Sequence, residues 1–136
     1  MNKNLVEDNK GNILIVDDTP ENLQVLSATL SDCGYKVRGV IKGSMAIRAA
    51  RSAPPDLILL DIKMPDMTGY EVCEQLKADP QTSEVPIIFI SALDEVLDKV
   101  KAFKIGGVDY ITKPFQVEEV LARVENQLTI QRLQKQ

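Results

Sequence analysis

The 136 residues specify an α/β domain in which five parallel strands alternate with five helices, doubly wound on both faces of one sheet. Three observations predict it. The runs ILIV at 13–16, LILL at 57–60 and IIFI at 87–90 are apolar without polar alternation, as in strands buried on both faces. Each run is followed, after a short loop, by apolar residues at helical spacing. Glycine, proline and aspartate punctuate the joints. Strands and helices alternating in this way form a parallel sheet with right-handed crossovers. The pattern leaves the strand order open.

Taken in order, Asn2 to Lys10 is polar and reads as a loose tail, residues 1–10. Ile13 to Val16 is the first strand, ending in Asp17 and Asp18. Thr19, Pro20 and Glu21 then read as N-cap, first helical position and an acid in the first turn. Leu23, Leu26 and Leu30 follow at helical spacing, and Gly34 supplies the stop. Tyr35 to Ile41 is a more polar strand, as suits a sheet edge. Ser44 to Ser52 is a short helix closed by Pro54 and Pro55.

Leu57 to Asp61 is the third strand, a run that hands over to a loop punctuated by Pro65 and Gly69. Tyr70 to Ala78 is the next helix, with Val72, Cys73 and Leu76 inward. Ile87 to Ile90 is the fourth strand and ends at Ser91 and Ala92. Asp94 can cap a helix carrying Val96, Leu97, Val100 and Phe103, which stops at Gly106 and Gly107. Val108 to Thr112 is the fifth strand, followed by Lys113 and Pro114. A last helix starts near Gln116, with Val117, Val120, Leu121, Val124 and Leu128 on its apolar side.

Composition narrows the function. Hydrophobic residues make up 44% and charged residues 26%, ordinary for a soluble globular domain. A net charge of −4 argues against a nucleic-acid-binding surface on this chain. No apolar run approaches membrane-spanning length, and Met1 to Lys10 is too polar for a signal peptide. Cys33 and Cys73 lie on predicted helices without metal-ligand spacing and read as reduced thiols of a cytoplasmic protein, ahead of a disulfide. The chain has no histidine. His-based triads, His metal sites and a phosphohistidine of its own are excluded.

The chemistry emerges at the strand ends. Parallel strands share one carboxyl edge, the edge where open α/β sheets bind ligands. Asp17 and Asp18, Asp61, Ser91 and Lys113 all fall there. Three gathered carboxylates repel one another unless a cation joins them. Mg²⁺ suits such a set, because it takes few protein ligands and keeps waters that a phosphate can replace. Lys113 adds a fixed positive charge and Ser91 a hydroxyl donor. A carboxylate nucleophile forming an acyl phosphate is chemistry this set could support. Singly, each residue has a plainer reading: Asp17 and Asp18 as an N-cap cluster, Ser91 as a strand-end hydroxyl, Lys113 as a surface charge, and Tyr110 as half-buried packing.

Four motifs in order carry a family resemblance over roughly Asn12 to Leu128. They are ILIVDD, LLDIKMPDMTG, PIIFISA and GGVDYITKPF. The chain resembles the receiver domain of two-component response regulators, the CheY-like family, whose fold is the flavodoxin-like (βα)5 sheet. The resemblance implies a receiver domain at residues 11–128. Asp61 would accept a phosphoryl group from a phosphohistidine on a sensor histidine kinase or histidine phosphotransfer protein. Asp18 would bind Mg²⁺ directly, Asp17 mainly through water, and the Lys63 backbone carbonyl would complete the protein ligands. Ser91 would hydrogen-bond the phosphoryl group and move towards it, Lys113 would pair with a phosphoryl oxygen, and Tyr110 would be the aromatic switch. The bond between Lys113 and Pro114 is usually cis in the family. The missing histidine fits, because a receiver uses its partner's.

The resemblance also implies a readout face made of the helix from Asp94 to Ile105, the fifth strand and the last helix, with a homodimer through it. Lys63 and Leu93 occupy positions associated with phosphoryl lifetime, and the long Lys63 side chain points to a long-lived phosphorylated state. Residues 129–136 are either a frayed tail or the start of a helical linker to an output domain. The chain itself shows no DNA-binding or catalytic output module. It would catalyse only its own phosphorylation and dephosphorylation.

Rival readings differ in their motifs. A haloacid dehalogenase-type phosphatase separates its two strand-one aspartates by one residue, whereas Asp17 and Asp18 are adjacent. A flavodoxin-like FMN binder needs a Ser/Thr/Gly-rich loop after strand one. A P-loop enzyme needs its glycine-rich GK[ST] motif, which is absent. A non-phosphorylated receiver-like interaction scaffold keeps the same sequence features and stays open.

Overall fold

The computed structural model describes residues 10–92 and 99–134. It has five parallel strands in one sheet, β1 (Asn12–Val16), β2 (Lys36–Val40), β3 (Leu57–Asp61), β4 (Ile87–Ala92) and β5 (Gly107–Lys113). The spatial order is β2-β1-β3-β4-β5. Among the described residues five helices join them: α1 (Pro20–Asp32), α2 (Gly43–Ser52), α3 (Gly69–Ala78), α4 (Lys99–Lys104) and α5 (Val117–Gln134). The polar strand β2 lies at an edge, as its composition suggests, and the apolar β1, β3 and β4 fill the interior.

Both faces of the central strands are buried, because side chains alternate between two cores. Leu14, Val16, Ile58, Leu60, Ile87 and Phe89 face one core, closed by α2, α3 and Ala102 of α4. Ile13, Ile15, Leu57, Leu59, Ile88 and Ile90 face the other, closed by α1 and α5. Each of these strand side chains is fully buried. Helices thus cover both faces of the sheet, and the carboxyl edge is left to the loops.

Several details refine the element boundaries. Gly34, with φ of 98°, ends α1 in a conformation that suits glycine. Cys33 sits at the C-cap of α1 rather than inside the helix, and both cysteines are free. β4 runs through Ser91 to Ala92, because the ladder with β5 continues to Ala92 opposite Lys113. Val117 is 45% exposed and does not join the apolar side formed by Val120, Val124 and Leu128. It belongs to the first turn of α5, before the helix settles on the sheet. Val100 and Phe103 are likewise exposed on α4, where Ala102 makes the contact with the core. The cap at Asp94, with Leu93, Val96 and Leu97, lies outside the described residues.

α5 remains helical to Gln134, past its last buried residue, Leu128. From Thr129 to Gln134 the chain is helical. Lys10, at the other end, is held by its N–H on the Gly34 carbonyl and by its carbonyl on Arg132. Among the described residues, no helix is long and apolar enough to cross a membrane.

Candidate functional site

β1 and β3 are neighbours, with Val16 opposite Leu60, so their following residues emerge side by side. One carboxylate oxygen from each of Asp17, Asp18 and Asp61 lies within 4.8 Å of the others. Asp17 and Asp61 are buried, whereas Asp18 is exposed at the mouth. Lys113 reaches in from the end of β5, its Nζ 3.3 Å from Asp17 Oδ2 and 3.5 Å from Asp61 Oδ2. Its peptide bond to Pro114 is cis. Ser91 follows Ile90, the register partner of Asp61, and is itself buried.

Local structure fixes each side chain. Thr19 is the N-cap of α1 but makes no side-chain cap; instead its N–H donates to Asp17 Oδ1 at 2.9 Å. This bond turns the other oxygen of Asp17 towards Lys113. The N-cap position belongs to Thr19, so Asp17 does not cap α1 as the plainer reading had it; it accepts from the N–H of the cap residue. Asp17 Oδ2 is buried with no aligned hydrogen-bond donor among the described residues, which leaves a lone pair open for a cation. After Asp61 the loop closes sharply, with the Gly69 N–H on the Ile62 carbonyl at 2.7 Å. Gly69 packs against the Asp61 carbonyl so closely that any side chain would collide with it. Thr68 and Glu71 then form a reciprocal capping box at the start of α3.

The charges do not balance. Burial, and then the neighbouring Asp17, push the Asp61 carboxyl up to about 7, with Lys113 acting against them. Burial acts against the Lys113 ammonium, but Asp61 and Asp17 outweigh it and raise its pKa. One lysine thus faces three acids. The donor set is all oxygen, partly buried and open on the Asp18 side, which fits a hard divalent cation that retains waters.

Ser91 Oγ donates to the Ala92 carbonyl at 3.2 Å, next to the site. Tyr110 is half-buried against the α2–α3 core, and the Arg123 guanidinium lies 5.9 Å from its ring centre. Arg123 is in turn gripped by both oxygens of Asp109, at 2.8 and 2.9 Å, and by Glu119 at 3.3 Å. Lys63 is exposed on the loop after Asp61. Sequence reasoning missed the Arg123 cluster and the capping box. The box was legible as Thr68-Gly-Tyr-Glu71; the Arg123 cluster depends on how β5 and α5 pack.

The family model of the response regulator receiver domain matches residues 13–125. The chain is 41% identical over 112 residues to the DNA-binding dual master transcriptional regulator RpaA of Synechocystis, covering 82% of this chain and 46% of that protein. The chain spans about half or less of the length of the curated relatives it matches. A signal receiver domain of a histidine kinase from Syntrophus aciditrophicus has a similar structure, with a TM-score of 0.80 at 35% identity, over 88% of this chain and 90% of that one. So does the receiver domain of a Pseudomonas aeruginosa sensor histidine kinase, solved with magnesium coordinated in its active-site cleft. Its TM-score is 0.80 at 32% identity, over 88% and 98% of the two chains. With every strand-end residue of the motif gathered at one edge of a (βα)5 sheet, the chain belongs to the response regulator receiver domain family of two-component systems.

Proposed function

We propose that the chain is a phospho-accepting switch, with Asp61 as the acceptor. The observation that carries this reading is the trio of carboxylates within 4.8 Å, two of them buried against a single lysine. Asp18, Asp17, Asp61 and the Lys63 carbonyl would hold Mg²⁺, which supplies positive charge to the phosphoryl oxygens as charge develops on them. Asp61 attacks phosphorus in line, and the bond from phosphorus to the donor imidazole nitrogen breaks. The electron pair stays on that nitrogen, which then takes up a proton. Lys113 pairs with a second phosphoryl oxygen, and its position between Asp17 and Asp61 supports that role.

The donor is the phosphohistidine of a sensor kinase or phosphotransfer protein, consistent with a chain that has no histidine. Ser91, now donating to the Ala92 carbonyl, would turn its hydroxyl to the phosphoryl group, and Tyr110 would move inward behind it. The phosphoryl group shifts the switch only through contacts that differ between the two states. The readout face is α4, β5 and α5, which would also form a homodimer. The exposed Lys63 beside the site would prolong the phosphorylated state. Residues 11–128 would be the receiver, and residues 129–136 a C-terminal helix extension or linker.

Intact mass after incubation with acetyl phosphate and Mg²⁺ tests the reading. One added phosphoryl group, labile to hydroxylamine and absent from Asp61→Asn, is expected. No adduct, together with no binding of beryllofluoride, would overturn it in favour of an interaction scaffold.

A further inference from the structure

The loop after Asp61 is tied across the molecule to the start of α2. Asp66 Oδ1 accepts from the Gly43 N–H and Oδ2 from the Ser44 N–H, both at 3.0 Å. α2 has no cap of its own, because its N-cap residue is Lys42, which carries no acceptor. The acid that serves it comes from 22 and 23 residues further along the chain. Met67, the next residue, lies against Gly43, and a side chain at Gly43 would collide with it. The glycine thus lets the loop close on the helix. The Ser44 N–H, opposed by burial and aided by the Gly43 N–H, holds the Asp66 carboxyl below its ordinary range. It stays ionised and keeps both bonds at neutral pH.

This contact bears on the acid site through the shortness of the loop. The segment from Ile62 to Gly69 is pinned at its ends by the Gly69 N–H on the Ile62 carbonyl and by the Thr68–Glu71 box. Both pins belong to the loop itself or to α3. Asp66 is a pin on a different element, three residues after Lys63. We infer that Asp66 is a positioning residue: by anchoring the loop on α2 it sets the place of the Lys63 carbonyl relative to Asp61. The inference rests on the phospho-acceptor reading, in which that carbonyl is a metal ligand. Groups that orient ligands from outside the ligand set commonly change metal affinity about 10-fold or more.

Three variants test it: Asp66→Ala, Asp66→Asn, and Val124→Ala in the core on the opposite face of the sheet. Mg²⁺ affinity is measured by calorimetric titration, and loop order by amide hydrogen exchange without metal. Asp66→Ala is expected to weaken Mg²⁺ binding about 10-fold and to speed exchange selectively in residues 62–69. Asp66→Asn keeps one acceptor oxygen and falls between. Val124→Ala lowers the Tm at least as much yet moves neither quantity. A lowered Tm for Asp66→Ala with unchanged Mg²⁺ affinity and unchanged loop exchange would reduce Asp66 to a helix cap and overturn the inference. If the wild-type chain binds no Mg²⁺, the phospho-acceptor reading fails separately, and exchange alone decides: acceleration confined to residues 62–69 upholds the anchor, and uniform acceleration overturns it.

Discussion

The two ends of the sheet draw on the same residue types and treat them differently. At the amino edge Asp56 and Asp79 each have a partner of their own. Asp56 accepts from the Asn12 N–H at 2.7 Å, and Asp79 pairs with Arg51 at 2.8 Å while also accepting from the Gln81 N–H. At the carboxyl edge Asp17 and Asp61 are buried together and share Lys113. Partnered acids at one end and crowded acids at the other place the electrostatic strain at the carboxyl edge, the edge where open α/β sheets bind ligands. The fold itself does not need that crowding, since the strands between the edges are held by fully buried apolar side chains.

The sheet interior sets the scale against which both edges are measured. Leu59→Ala removes a fully buried side chain from the α1–α5 core and is expected to cost about 3 kcal/mol in urea unfolding. Lys113→Ala comes next. It leaves buried Asp17 without its cation, and the expected loss is about 2 kcal/mol, below the usual figure for a buried pair because the lysine is partly exposed. Added Mg²⁺ would recover part of that loss. A loss as small as that of a surface ion pair would mean that the carboxyl edge is no more strained than the amino edge.

The third prediction has the opposite sign. The Asp61 carboxyl is raised from 3.8 to about 7, so between these values the folded chain holds a proton that the unfolded chain has released. Metal-free stability therefore falls, through this group, as pH rises from about 4 to about 7. Asp61→Asn removes that slope and melts higher than the wild type above neutral pH, by less than Lys113→Ala loses. Excess Mg²⁺ raises the wild-type Tm more at about pH 8 than at about pH 5. Melting curves at both pH values, with and without Mg²⁺, check all three statements. A wild-type Tm that rises between those pH values without metal would contradict the crowding.

The carboxyl edge was also the part most legible from the amino acids. Asp17, Asp18, Asp61 and Ser91 follow apolar runs and Lys113 follows the fifth strand, and parallel strands bring such ends together whatever the strand order. The long runs made the interior strands equally plain. What stayed hidden depends on packing between distant segments. The Asp66 cap joins residues 22 and 23 apart, and the Arg123–Asp109 grip joins β5 to α5, so neither leaves a local pattern. Val117, Val100 and Phe103 fit helical spacing yet face solvent, because periodicity marks a face without saying where the helix meets the core. Asp56 was invisible for the same reason: its partner, the Asn12 N–H, is 44 residues away.

The smallest effects belong to the amino edge and complete the contrast. Asp56→Ala frees one backbone donor in a wet place, where solvent can replace the acid, for an expected loss of about 1 kcal/mol. Arg51→Ala is expected to change stability by no more than about 0.5 kcal/mol. Arg51 is half exposed, and after its removal Asp79 still accepts from the Gln81 N–H, so neither partner is left buried and alone. Both values come from urea midpoints, compared in low and in high salt. A salt-sensitive loss above about 1 kcal/mol for Arg51→Ala would show coupled charges at the amino edge as well, and the difference between the two ends of the sheet would then be one of burial alone.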